Sequence, residues 1–505
     1  MSVAPRVVVG ELSRPHCDIR ERAARLATGL RDLGIRTGDA VALIAKNDFL
    51  CLEASIATQR MDAFVVPINW HLRGSEIAHL IEDSGAKAVL AHDEYVPLIR
   101  SIVPERIPVI AARPSWSPVP PPNKTLADIT DYDAWIRTKA PADFHGSGRG
   151  SSMIYTSGTT GKPKGVRRMA AGESEVEQRR ALLALVYNAR PGNTAIATGP
   201  LYHLFSLAVT TANLAAGASV VVMQRFDAEE FLRLVEKYRV TTAAIVPTMM
   251  VRLLRLPPAV RTRYDLSSLQ YMIHTAAPCP PEIKRAMIAW LGPIIWENYG
   301  CSETGVITLV NSEEWLARPG TVGRAVLSGE IRIYDASGQR LPPNTVGEIY
   351  LKMHGSPDFT YHGDAAARAM IDRDGFATAG DIGYLDDDGY LYLCDRKTDM
   401  LITGGVNVYP QEIEAALLTH PQIVDAAVFG IPDDEFGESI AAHIQRIPGS
   451  PLTHEEVRAY LGDRLAKYKL PRVVVFDAAL PREDNGKIYK QGLRGNYWAG
   501  YTRRI

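Results

Sequence analysis

Apolar positions near the N-terminus alternate between two periods. Ile19, Ala23, Leu26, Ala27, Leu30 and Leu33 recur at helical spacing, whereas Ala40-Val-Ala-Leu-Ile-Ala45 is an unbroken apolar run, the pattern of a strand covered on both faces. The same alternation continues through the strand 63–68, the helix 75–84 and the strand 88–91, which predicts α/β structure with mostly parallel strands. Residues 114–123 hold five prolines and cannot pack as an interior helix or central strand, so they read as a surface connector. A second α/β series runs from about 151 to 320, with strands at 219–223, 242–246 and 271–274. The texture then changes. Short strands at 330–334, 347–351 and 390–394, separated by Gly, Pro and Asp turns, predict a small β-barrel or packed sheet. Beyond 397 a compact unit carries helices near 410–420 and 453–465 and strands at 426–429 and 473–476. The predicted fold is α/β, with a large N-terminal domain (1–396) of two α/β subdomains plus a small β-barrel, and a smaller C-terminal α/β domain (397–505).

Composition narrows the function. A length of 505 residues with 46% hydrophobic and 22% charged residues suits a soluble multi-unit protein, and a net charge of −1 with no long basic run excludes the electrostatic footprint of a nucleic-acid binder. The five cysteines, odd in number and without C-x-x-C spacing, argue against a disulfide framework or a thiolate zinc site and fit a reducing cytoplasm. The N-terminal apolar run is too short for a signal peptide. The uncharged stretch 204–224 has membrane length, but Ser206, Thr210, Thr211, Asn213, Gly217 and Ser219 interrupt it, so a buried helix and strand are expected and no membrane span.

The candidate chemistry starts at Tyr155-Thr-Ser-Gly-Thr-Thr-Gly-Lys-Pro-Lys-Gly-Val166. After the apolar pair Met153-Ile154, the hydroxyls of Thr156, Ser157, Thr159 and Thr160, the glycines 158 and 161, and the amines of Lys162 and Lys164 form a turn suited to phosphate oxygens. It is not a Walker A loop, because Pro163 follows Lys162 and no glycine lies five positions before Gly161.

This loop resembles that of the adenylate-forming superfamily: acyl-CoA synthetases, peptide-synthetase adenylation domains and firefly-type luciferases. The resemblance covers nearly the whole chain, with further segments in family order. In Asn298-Tyr-Gly-Cys-Ser-Glu-Thr-Gly305 it implies that Tyr299 stacks on adenine with Asn298 and Gly300 also in the nucleotide site, that Glu303 holds Mg²⁺, and that Ser302, in place of the usual threonine, keeps a hydroxyl for the α-phosphate. Asp381, in Thr378-Ala-Gly-Asp, is implied at the ribose hydroxyls, and Arg396 at ribose or phosphates. Lys487, after Gly486, is implied to bridge carboxylate and α-phosphate during adenylation, and Gly404 and Gly405 to line a pantetheine tunnel once the C-terminal domain rotates. Ala276, Ala277 and Pro278 occupy the adenine-contacting turn, and His203 the gate of the acyl site. The family's hinge residue is Asp or Lys; here Thr398 stands in its place.

The implied activity is ATP-dependent conversion of a carboxylic acid to acyl-AMP and then, with CoA, to acyl-CoA. Tyr468-Lys-Leu-Pro471 and the segment Gly404-Gly-Val-Asn-Val-Tyr-Pro410 resemble acid–CoA ligases. The turn at 275–278 and the run 359–364 resemble synthetases for fatty, steroid-like or terpenoid acids. A separate carrier protein or acyltransferase is the alternative acceptor, and a catalytically silent nucleotide-binding protein the alternative from another class.

Overall fold

The structure, a computed structural model, describes residues 4–117, 130–141, 146, 152–156, 163–169, 172–403, 406–433, 435–482 and 488–499. Most of the proline-rich connector lies outside them. So do Ser157, Gly158, Thr159, Thr160, Gly161, Lys162, Gly404, Gly405 and Lys487.

The first α/β series forms a five-stranded parallel sheet in the order Phe64–Pro67, Ala40–Ile44, Ala86–His92, Val109–Ala112, Thr130–Asp131. All five residues of Ala40–Ile44 are buried because helices cover both faces. Val41 and Leu43 pack with the helices His16–Asp32 and Phe49–Arg60, while Ala40, Ala42 and Ile44 pack with Gly74–Asp83 and Val96–Ile102. The period of two along a strand thus divides one apolar run between two cores.

The second sheet has a parallel half in the order Ile295–Cys301, Tyr271–His274, Thr242–Ile245, Thr194–Ala197, Ser219–Val222, Arg6–Val9. Val7, Val9, Val220 and Val222 share a core with the helices His16–Asp32 and Phe49–Arg60, which therefore form one layer between the two sheets. On the opposite face Val8, Val221 and Met272 pack with Ala228–Tyr238, Pro247–Leu254 and Pro281–Leu291. The uncharged stretch resolves into the helix Leu204–Ala215 and the strand Ser219–Val222. No helix among the described residues is long and apolar enough to cross a membrane.

The expected β-unit is hydrogen-bonded into this same sheet. Ile295–Cys301 is parallel to Tyr271–His274 on one edge and antiparallel to Gly305–Val310 on the other. From there Thr321–Ala325, Tyr390–Arg396, Phe376–Leu385, Gly347–Met353 and Gly329–Tyr334 continue the sheet. They curl around a core of Ile307, Val322, Ile331, Ile349 and Leu391, and Val326 N donates to Ile307 O at 2.9 Å where the chain returns to its start.

Arg396 ends its strand, and Lys397 N still donates to Gly380 O at 2.7 Å. The smaller C-terminal domain has its own core of Leu401, Ile413, Leu417, Val428, Ile440, Ile444, Val457 and Leu461. Its centre is the hairpin Ile423–Asp433 with Gly437–Arg446. The expectation was one short strand at 426–429 there. Glu438 hides the second strand in the sequence, yet it is buried because its carboxylate accepts from Ile402 N at 2.8 Å.

Candidate active site

A cleft of about 3000 Å³ runs between the large domain and the C-terminal domain. Every candidate site residue within the described set lines it: Thr156, Lys164, His203, Ala276, Ala277, Pro278, Asn298, Tyr299, Gly300, Ser302, Glu303, Asp381 and Arg396.

The strand Ile154–Thr156 enters the glycine-rich loop and Lys164–Arg168 leaves it, paired antiparallel with Thr156 opposite Lys164. Alternation along the exit strand turns Lys164, Val166 and Arg168 toward the cleft. Lys164 Nζ lies 3.6 Å from Asp364 Oδ2 and 5.3 Å from the centre of the Tyr361 ring.

The segment 298–305 is a hairpin whose tip carries Ser302 and Glu303. Gly300 is required there, since a Cβ would lie 2.0 Å from Gly305 O, and Gly305 itself has φ +80°. Arg168 reaches across from the loop's exit strand and donates to the carbonyls of Ser302, at 2.8 Å, and of Glu303. Tyr361 donates to Glu303 Oε1 at 3.0 Å. Burial, and then the Glu303 charge, raise the Tyr361 phenol and keep it a donor. Neither Arg168 nor the Tyr361–Glu303 contact was foreseen. Counting by twos from Lys164 finds Arg168; Tyr361 needs the pairing of Phe359–Tyr361 against Lys164–Arg168, with Tyr361 opposite Val166.

Asp381 lies opposite Arg396 in the antiparallel pair of Phe376–Leu385 with Tyr390–Arg396. Its Oδ2 accepts from Tyr299 OH at 2.7 Å, and its Oδ1 lies 3.3 Å from Arg396 Nε. Burial, with the Asp381 charge adding to it, holds the Tyr299 hydroxyl protonated, well above the ordinary phenol range.

The Tyr271–His274 strand delivers the turn Thr275–Pro278. Thr275 Oγ1 donates to Asn298 O at 2.7 Å, fastening the turn to the next strand. Ala276 sits at φ +76°, a left-handed conformation unusual for a residue with a Cβ. Beneath the turn, Lys284 Nζ donates to Glu297 Oε2 at 2.6 Å and His274 Nε2 lies 3.5 Å from the same oxygen, all three side chains being buried. Burial and the Lys284 charge hold His274 neutral, well below the usual imidazole range. Asn298 Oδ1 is buried without a hydrogen-bond partner among the described residues, an acceptor suited to an amine donor such as that of adenine. His203 sits at the N-cap of Leu204–Ala215, its ring centroid 4.5 Å from that of Tyr202.

At the crossover, Asp395 is buried and accepts from Arg396 N at 2.7 Å and from Gln411 N at 3.0 Å, joining the large domain's last strand to the first helix of the C-terminal domain. Thr398 O accepts from Arg494 at 3.2 Å. Burial raises the Asp395 carboxyl from 3.8 to about 7, against the opposing influence of Lys490 and the two N–H donors. An acid raised in the folded state stabilises the fold fully below its unfolded value and loses that contribution as pH rises through the folded value. Asp395→Asn is therefore expected to flatten the stability curve between about pH 4 and 7, checked by denaturant midpoints across that range.

Fold and cleft define a two-domain α/β nucleotide-binding enzyme. The family model described as AMP-binding enzyme matches residues 16–356, and that described as AMP-binding enzyme C-terminal domain matches 412–487. Fatty acid–acyl-carrier-protein ligase ScoC of Streptomyces coeruleorubidus is 30% identical over 96% of this chain and 92% of its own. The putative acyl-CoA synthetase YngI of Bacillus subtilis is 33% identical over 93% and 89%. Among solved structures, ATP-bound MatB from Rhodopseudomonas palustris superposes with a TM-score of 0.86 at 28% identity, covering 98% of this chain and 96% of MatB. The chain belongs to the AMP-binding enzymes, a family of adenylate-forming CoA and acyl-carrier-protein ligases.

Proposed function

We propose that the protein activates a carboxylic acid with ATP, forming acyl-AMP and pyrophosphate, and then transfers the acyl group to the thiol of CoA, the new C–S bond replacing the acyl–phosphate bond as AMP leaves. The observation that carries this reading is the convergence of Thr156, Lys164, Ser302, Glu303, Tyr299, Asp381 and Arg396, widely separated in sequence, on one interdomain cleft.

In the first half-reaction a carboxylate oxygen bonds to the α-phosphorus as the bridging oxygen leaves with pyrophosphate. Asn298 and the turn Ala276–Pro278 receive adenine. Asp381, held by Tyr299 and Arg396, offers its two oxygens to the ribose diol. The Ser302 hydroxyl and Lys164 face the phosphates, and Lys487 neutralises charge passing from carboxylate to phosphorus. Glu303, at the hairpin tip in the cleft, would hold Mg²⁺ together with phosphate oxygens, and the ion would supply charge neutralisation at the phosphates. For the second half-reaction, rotation about the crossover at Thr398 brings Gly404 and Gly405 to the thiol's path, with His203 at the acyl gate.

The test is carboxylate-dependent pyrophosphate exchange over a panel of acids, followed by addition of CoA to the enzyme-bound adenylate. Lys487→Ala is expected to lower exchange by about 10²- to 10³-fold. No exchange with any acid, despite ATP binding, sinks the reading. The similarity to ScoC supports a second acceptor, a separate carrier protein. Consumption of the adenylate by a phosphopantetheinylated carrier but not by CoA selects it.

A further inference from the structure

The helix Glu173–Val186 places Arg179, Leu182 and Leu183 at i, i+3 and i+4, and all three line the cleft beside Tyr187, Phe205 and Ala208. That lobe is otherwise apolar: Leu182, Leu183, Tyr187, Phe205 and Ala208 belong to one hydrophobic cluster. Arg179 is the exception. It makes no hydrogen bond or ion pair with the described residues. The acids of its own helix do not serve it, since Glu175 caps the helix by accepting from Gly172 N at 2.9 Å and Glu177 pairs with Arg180 at 2.9 Å.

A second cation, Arg168, lies close enough to feel the Arg179 charge. Burial brings Arg168 down to about 10, and the neighbouring Arg179 adds to the shift. Burial likewise holds Arg179 below the ordinary guanidinium range. Arg168 is committed to the carbonyls of Ser302 and Glu303. Arg179, beside the apolar side chains of the lobe, has no such commitment among the described residues. A guanidinium set among apolar side chains beside a second cation carries a desolvation cost that an arriving anion removes, and its planar fork matches a carboxylate in bidentate fashion.

We infer that Arg179 recognises a second carboxylate on the acid, remote from the one that is adenylated, so that the substrate class is dicarboxylic acids with an apolar spacer. This rests on the acid-activating reading above. It adds a charge requirement to the bulky, apolar acids expected from sequence.

The test compares pyrophosphate release from α,ω-dicarboxylic acids with that from their monomethyl esters, which keep length and bulk but cancel the distal charge. The wild-type enzyme is expected to favour a diacid over its half-ester by about 10²-fold or more in kcat/KM. Arg179→Met brings that ratio close to one, and Arg179→Lys preserves part of it. Half-esters used as well as diacids by the wild type, or a preference that survives Arg179→Met, overturn the inference. If Arg179→Met does not fold, as judged by its thermal melt, the wild-type ratio decides alone. Pyrophosphate release with half-esters only leaves the adenylation reading standing and removes this one; release with no acid removes both.

Discussion

Asp381→Ala is expected to lower kcat/KM for ATP by about 10²- to 10³-fold, chiefly through KM. The carboxylate does three things at once in the proposed complex. It accepts from the buried Tyr299 hydroxyl at 2.7 Å, it lies 3.3 Å from Arg396 Nε, and it offers acceptors to the ribose diol. Alanine removes the ribose contact and strands a buried hydroxyl and a guanidinium together. Backbone geometry leaves little room for another side chain to move in: Gly380 has φ +78°, Gly380 N donates to Thr378 Oγ1 at 2.9 Å, and Gly380 O accepts from Lys397 N. Tyr299→Phe is expected to cost far less, because Asp381 keeps Arg396 and its ribose-facing oxygens. Steady-state pyrophosphate release against ATP concentration measures both. An ATP KM for Asp381→Ala within threefold of wild type would falsify the ribose assignment.

Lys284→Met is expected to destabilise the large domain by about 3–5 kcal/mol. Its ammonium is fully buried, donates to Glu297 Oε2 at 2.6 Å and lies 4.9 Å from the centre of the Trp315 ring. Without it, Glu297 is a buried carboxylate with no cation. Burial already raises Glu297, with Lys284 opposing, so the variant's Glu297 moves further up and binds a proton on folding. The sign follows: stability lost in Lys284→Met is partly regained as pH falls and is most apparent at pH 8. Adding Glu297→Gln is expected to restore more than half of the loss, because a neutral amide can donate to His274 Nε2, which has no hydrogen bond among the described residues. Denaturant midpoints of the two variants at pH 6 and 8 check this. Equal stabilities of the single and double variants contradict it. Function should follow, since His274 and Glu297 immediately precede the Thr275–Pro278 turn and Asn298, so the single variant's ATP KM rises with its loss of stability.

Part of the candidate site was legible before any fold. Thr156, Lys164, Ser302-Glu303, Asp381 and Arg396 stand in segments whose order resembles the family's, and the structure brings them to one cleft, while residues 157–162 of the loop lie outside the described ones. Arg179, Arg168 and the Lys284–Glu297–His274 cluster were not legible. Arg179 and Lys284 sit in helices, where a cation ordinarily means a solvated face, and only the fold, which buries Lys284 and sets Arg179 in the wall of the cleft, changes their meaning.

Periodicity alone determined the α/β class, the alternation of the first sheet, the helix and strand within the long uncharged stretch, and the presence of a separate C-terminal core. These are local properties, since apolar spacing records which face each element must bury. Tertiary structure alone decided the non-local pairings. Arg6–Val9 crosses the chain to lie parallel to Ser219–Val222. Ile295–Cys301 is shared by parallel and antiparallel halves of one sheet. Asp381 meets Tyr299, and Tyr361 meets Glu303. Strand partners are chosen by the packing of whole layers, and a hydrogen bond between residues so far apart leaves no trace in the spacing of either.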